Sequence, residues 1–146
     1  GANAHLIADV TGYFPPGSGF SPLTPARLAD TRPPAEDGQT TDGAFLGNGR
    51  IGSTQTYPFS VANRGGLPAA PTAVALNVTV VAPTGSGFVT VWPCGDNRPW
   101  ASSVNFAAGD VAPNAVITKV GTNGTVCVFA SGAATHVVVD VTGYFD

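Results

Sequence analysis

Nine consecutive residues hold the side chains best suited to grip a ligand: Trp92-Pro93-Cys94-Gly95-Asp96-Asn97-Arg98-Pro99-Trp100. Sugars are held by stacking their apolar faces on aromatic rings while neighbouring polar groups satisfy the hydroxyls. Two indoles flanking an acid, an amide and a guanidinium in a turn-rich loop meet both needs. Trp92, Asp96, Asn97, Arg98 and Trp100 are therefore the candidate glycan-binding set. A cross-link at Cys94 would stiffen the loop and lower the entropy lost on binding. The competing reading is structural. Phe88, Thr90 and Trp92 alternate on one face of a strand, which puts Trp92 in the core and leaves Trp100 covering one end of the fold.

Cys94 and Cys127 are the two cysteines of the chain. Alone they cannot complete a structural zinc site, and His5 and His136 do not stand at the short spacings such sites use. One lysine, no methionine and abundant Gly, Ser and Thr resemble a secreted protein. That favours a disulfide between neighbouring strands over a pair of buried free thiols.

Catalytic arrangements fare worse. His136 and Asp140 share a strand face but stand roughly 13 Å apart along it, too far for the hydrogen bond a Ser/His/Asp arrangement needs. The pair recurs as His5 and Asp9, which fits a structural role better than an active site. Both aspartates are expected to accept backbone hydrogen bonds near a strand bend, since Gly12 and Gly143 follow shortly. Asp30-Thr31-Arg32 departs from the Asp-Thr-Gly of aspartic proteases at its third position and has no second copy. The nine acids are dispersed, without the paired carboxylates of glycoside hydrolysis or an Asp-x-Asp cluster for calcium. We expect no catalytic residue, no metal and no cofactor. Arg27, Asp30 and Arg32 read instead as a buried ion-pair network anchoring the early part of the chain.

Composition narrows the class of partner. The 146 residues are enough for one domain with a real core. Net charge is −3, and Lys119 and the five arginines are scattered singly. Clustered cations for phosphate neutralisation or an anionic membrane surface are absent, so neither nucleic acid nor membrane is an expected partner. No apolar run approaches the roughly 20 residues needed to span a bilayer.

The elements that must position these residues are strands. Thr72 to Val81 alternates, with Val74, Leu76, Val78 and Val80 on one face. Gly87 to Cys94 follows the turn residues Pro83-Thr84-Gly85-Ser86, and the two runs are expected to form a hairpin. Val116 to Val120 and Thr125 to Phe129 flank Asn123-Gly124, another hairpin signal. Thr135 to Phe145 closes the series, and Ala26 to Thr31, Thr54 to Val61 and Ser102 to Phe106 are weaker strands. Pro33 to Gly52 reads as a surface loop. The expected fold is all-β: an antiparallel, jelly-roll-like sandwich of about eight to ten strands.

Organisation is legible at the two ends. Ala4 to Phe14 reads AHLIADVTGYF and Thr135 to Phe145 reads THVVVDVTGYF, with seven of eleven positions identical at a constant offset of 131 residues. The chain is therefore read as residues 1–14, the closing strand of a preceding repeat; 15–22, a Pro/Gly linker; and 23–146, one repeat unit. An unpaired opening strand would be sticky. Its expected partner is a sheet edge of the same domain, the alternative being a sister molecule. His5, Asp9, Tyr13 and Phe14, with His136, Asp140, Tyr144 and Phe145, are the expected junction residues.

A resemblance supports this organisation. Leu23-Thr24-Pro25-Ala26-Arg27-Leu28-Ala29-Asp30-Thr31-Arg32, Ala75-Leu76-Asn77-Val78-Thr79-Val80 and Gly87-Phe88-Val89-Thr90-Val91-Trp92-Pro93 carry it. So do Arg98-Pro99, Ser102 to Phe106, Lys119-Val120-Gly121 and Val141-Thr142-Gly143-Tyr144-Phe145. Together they resemble a module of about 130 residues found in large secreted or surface proteins of actinobacteria, often in tandem. The resemblance implies an extracellular or cell-surface unit and brings no established activity with it. The expected role is a non-catalytic structural or adhesive repeat, a spacer, stalk or filament unit joined to adjacent repeats or sister molecules by a shared or donated strand. The alternative is a carbohydrate- or cell-wall-binding accessory module with a surface polysaccharide as partner.

Overall fold

The computed structural model describes residues 12–146, so the expectations for His5 and Asp9 lie outside the described residues. Eight runs rich in β-branched and aromatic residues become strands. They are β1 (Phe20–Asp30), β2 (Thr56–Ser60), β3 (Ala73–Val81), β4 (Gly87–Pro93), β5 (Val104–Phe106), β6 (Val111–Lys119), β7 (Thr125–Gly132) and β8 (His136–Phe145). Two four-stranded antiparallel sheets result, ordered β1-β8-β3-β6 and β2-β7-β4-β5. β1 pairs with β8, β2 with β7, β3 with β6 and β4 with β5. This is the connectivity of a long antiparallel ribbon folded at the β4–β5 turn and rolled up, a jelly roll.

Both expected hairpins are overturned by this topology. β3 and β4 lie in different sheets, and Pro83 to Ser86 carries the chain across the sandwich instead of reversing it within one sheet. Asn123 and Gly124 do take the paired left-handed conformations of a tight reversal, at φ 57° and 70°. A single bridge, Gly121 to Thr125, closes the turn before β6 and β7 part into opposite sheets. The expected linker is also shorter than residues 15–22, because Phe20, Ser21 and Pro22 already pair with Phe145, Tyr144 and Gly143.

The core lies between the sheets. Val74, Leu76, Val78 and Val80 point inward from β3, as the alternation requires, and meet Val137, Val139 and Val141 of β8. Val89 and Val91 of β4 and Val126, Val128 and Ala130 of β7 close the core from the other sheet. Phe59, Leu28 and Leu76 are its largest fully buried side chains. Four of the five strand prolines sit on edge strands: Pro22 and Pro25 in β1, Pro58 in β2 and Pro113 in β6, the fifth being Pro93 at the end of interior β4. Each of the four removes a donor from an exposed ladder and blunts the edge against strand addition.

Candidate functional site

The seam between β1 and β8 brings the two most motif-like segments together. Arg27 stands opposite Asp140 in the register. Its Nε donates to Asp140 Oδ1 at 2.8 Å and its Nη2 to Oδ2 at 3.4 Å, while Nη1 reaches Asp30 Oδ2 at 3.5 Å. Asp30 is wholly buried and accepts from Arg32 Nε at 3.0 Å, Arg32 Nη2 at 2.8 Å and the Arg32 backbone N–H at 3.1 Å. Burial pushes the Asp30 carboxyl up, but the Arg32 side chain, with the Arg32 and Gln39 backbone N–H groups, outweighs it and holds the pKa below the usual value. Asp140, expected to take backbone donors, instead takes a guanidinium, because the rolled topology lays β1 directly beside it.

His136 and Asp140 are not brought together. The Thr31 hydroxyl accepts the Val137 N–H at 2.9 Å and lies 3.1 Å from His136 Nδ1. Nε2 stands 3.8 Å from Glu36 Oε2. Burial first, and then the charge of Arg50, lowers the His136 pKa. At the other end of the seam the Phe20 ring lies over Gly143, where a Cβ would collide with it. Phe14 stacks on Phe20 at 4.3 Å between centroids and meets Phe145 edge-on at 5.8 Å. Tyr13 is exposed and Tyr144 packs against the core.

The outer face of the second sheet carries a different surface. Phe88, Thr90 and Trp92 do share one face of β4, but it is the face turned away from the main core, since Val89 and Val91 point inward. Trp92, 7 % exposed, packs with Cys127 and Phe129 of β7 beneath the segment after β4. Its indole N–H donates to the Asp96 carbonyl at 3.2 Å, so Trp92 holds up the loop and offers no platform to a ligand. The Cys94–Cys127 disulfide, with Cα atoms 5.1 Å apart, ties the same loop to β7. Thr90 Oγ1 donates to the Ala101 carbonyl at 2.6 Å, and Ser103 Oγ accepts the Val91 N–H at 3.0 Å, which fixes the loop's return.

Between this loop and the sheet is a cleft of about 470 Å³. Phe88 and Phe129 contribute its aromatic floor, Asn105 and Ser131 stand beside Phe88 on the neighbouring strands, and Arg98 and Trp100 come from the loop. The Arg98 guanidinium lies 3.8 Å over the Phe129 ring and 5.7 Å from that of Trp100. Trp100 is 98 % exposed. Of the five candidates, Arg98 and Trp100 line the cleft, Trp92 lies beneath the loop, and Asp96 and Asn97 lie outside the lining. Phe88, Phe129, Asn105 and Ser131 were missed, although the unbroken apolar run from Val126 to Ala130 is the mark of a strand covered on both faces.

Arg64 was missed as well. It donates to both oxygens of Asp42 at 2.7 Å and to the carbonyls of Ser60 and Leu28 at 2.6 and 2.7 Å, latching the Pro33–Gly52 loop to β1 and β2. The Arg64 guanidinium holds the Asp42 carboxyl down to about 2. Among the described residues no three His, Cys, Asp or Glu side chains converge as metal ligands, and no helix is long and apolar enough to cross a membrane. Comparison with models of protein families, with curated proteins and with solved structures finds no match to this chain. The chain is a disulfide-bonded jelly-roll sandwich with a polar seam on one sheet and an aromatic cleft on the other.

Proposed function

We propose that this domain is a non-catalytic carbohydrate-binding module of an extracellular protein, its ligand lying across the outer face of the second sheet against Trp100. The observation that supports this most is the fully solvated indole at the rim of an aromatic-floored cleft. A tryptophan left in water adds no burial to the fold, whereas a sugar stacked on one ring face buries roughly 70 Å², about a third of a typical aromatic side chain, for about 1.8 kcal/mol. Trp100→Ala should therefore weaken binding about 20-fold with an unchanged melting temperature. Titration of a panel of polysaccharides checks this; a wild type that binds none, or binding untouched by Trp100→Ala, rejects it.

A second reading concerns how units join. Phe14 packs on Phe20 and Phe145, which supports an end-to-end junction in a tandem array. β8 is an interior strand, flanked by β1 and β3, and its Arg27 and Thr31 partners are already engaged. A β8 copy at Ala4–Phe14 therefore fits the seam of an upstream unit better than a proline-bearing edge of this one. A tandem chain of 15–145 followed by 15–146 recreates the Phe–Pro junction and should melt above the single unit. Equal melting with independent tumbling of the two units rejects the junction.

A further inference from the structure

Resting on the carbohydrate reading, the structure points to the chemical class of the sugar. Among the described residues Arg98 is the one charged side chain in the cleft lining. Elsewhere the arginines are occupied: Arg27 holds Asp140, Arg32 holds Asp30, Arg64 holds Asp42, and Arg50 donates to the Ala82 carbonyl. Arg98 makes no ion pair or side-chain hydrogen bond among the described residues; its face is taken by the Phe129 ring. A guanidinium carries its five N–H donors in its plane, so stacking occupies the face and leaves the donor edge for a ligand. That edge matches a carboxylate, which accepts two parallel N–H groups. Among the described residues no carboxylate lines the cleft to repel an anion.

We propose that the ligand is an acidic glycan, a uronate-bearing polysaccharide whose carboxylate takes the Arg98 donor edge while a sugar ring stacks on Trp100. Asn105 and Ser131 face the hydroxyls from the floor. General electrostatics works against such a complex, because the chain carries a net charge of −3. Binding of a polyanion is thus a property of the cleft and not of overall charge.

The test uses the full chain with polygalacturonate, alginate and hyaluronan, their carboxyl-reduced counterparts, a neutral glucan, and inorganic polyphosphate as an anion without sugar. At least one uronate polymer should bind ten-fold or more tighter than its carboxyl-reduced form. Arg98→Gln should abolish that preference while lowering the melting temperature by no more than about 4 °C, the loss of its stack on Phe129; Arg98→Lys should restore only part of the preference, and polyphosphate should not compete. Equal binding of acidic and reduced polymers, or binding of the neutral glucan alone, overturns the acidic assignment and leaves the carbohydrate reading standing. Competition by polyphosphate at similar affinity overturns it in favour of a bare anion site. Failure of every glycan to bind overturns both.

Discussion

Asp30→Asn is the sharpest perturbation the seam allows. The native carboxylate accepts five donors: Arg32 N–H and Nε on Oδ1, and Arg32 Nη2, the Gln39 N–H and Arg27 Nη1 on Oδ2. Asparagine keeps one oxygen and turns an NH2 toward the donors of the other. At least two charge-assisted or backbone bonds are lost, and Arg32 is left without its counter-charge. Breaking a buried pair from one side costs about 3–5 kcal/mol. The Arg32 side chain is 20 % exposed and recovers part of its hydration, so we expect a loss of about 3 kcal/mol. For a domain of this size that lowers the melting temperature by roughly 6–12 °C. The pH dependence carries a definite sign. The folded Asp30 pKa lies below its ordinary value, so the carboxylate's contribution is complete above the unfolded pKa near about 4 and is lost as pH falls through the folded one. The gap between wild type and variant should hold from pH 7 to about pH 5 and narrow below pH 4. Urea denaturation followed by circular dichroism at several pH values measures it. A loss below about 1 kcal/mol at neutral pH, or a gap that does not narrow in acid, refutes the reasoning.

Three further outcomes follow from neighbouring features. The disulfide closes a loop of 33 residues' separation, worth about 4 kcal/mol by chain entropy; Cys94→Ser with Cys127→Ser should lower the melting temperature by more than 8 °C, and reductant should act equally on the wild type. The His136 pKa is lowered in the fold, so below about pH 6.5 the unfolded chain takes up a proton the native state refuses. Stability should therefore fall as pH drops from 6.5, and His136→Gln should flatten that slope in urea midpoints. Gly143→Ala places a methyl against the Phe20 ring and 2.9 Å from the Ser21 carbonyl; overpacking of about 1–3 kcal/mol and a changed near-ultraviolet aromatic signal are expected.

How far the fold was legible depended on how local its cause is. The alternation from Ala73 to Val81 names its buried face because one side of β3 meets the core and the other does not. The same alternation in β4 puts Phe88, Thr90 and Trp92 together correctly yet cannot say which side is inside, since both faces are covered, one by the opposite sheet and one by the disulfide-tied loop. Turn chemistry at Asn123-Gly124 fixes the local backbone and nothing more. Which sheet receives β6 and which receives β7 is decided by the rolled pairing of strands far apart in sequence. The cleft shares this origin. Its loop residues Arg98 and Trp100 were visible as a polar-aromatic cluster, but the floor comes from β4, β5 and β7, which only the folded sheet brings side by side.

The two segments that stood out as separate motifs prove to be halves of one joint. Arg27 answers Asp140, Thr31 answers His136, and the Phe20 ring requires the missing side chain of Gly143. The arginine, threonine and aromatic residues of β1 and the histidine, aspartate and glycine of β8 are thus mutual requirements, each otherwise an unpaired charge, a stranded imidazole or a needless flexible point. The same logic applies to the copy that begins the chain. Gly12 corresponds to Gly143, yet a Cβ there would meet no atom of the described residues within 4 Å. The glycine that β8 needs because a phenylalanine covers it has no such cover at its counterpart among the described residues. On the junction proposed above, the β1 strand of an adjoining unit is what covers that glycine.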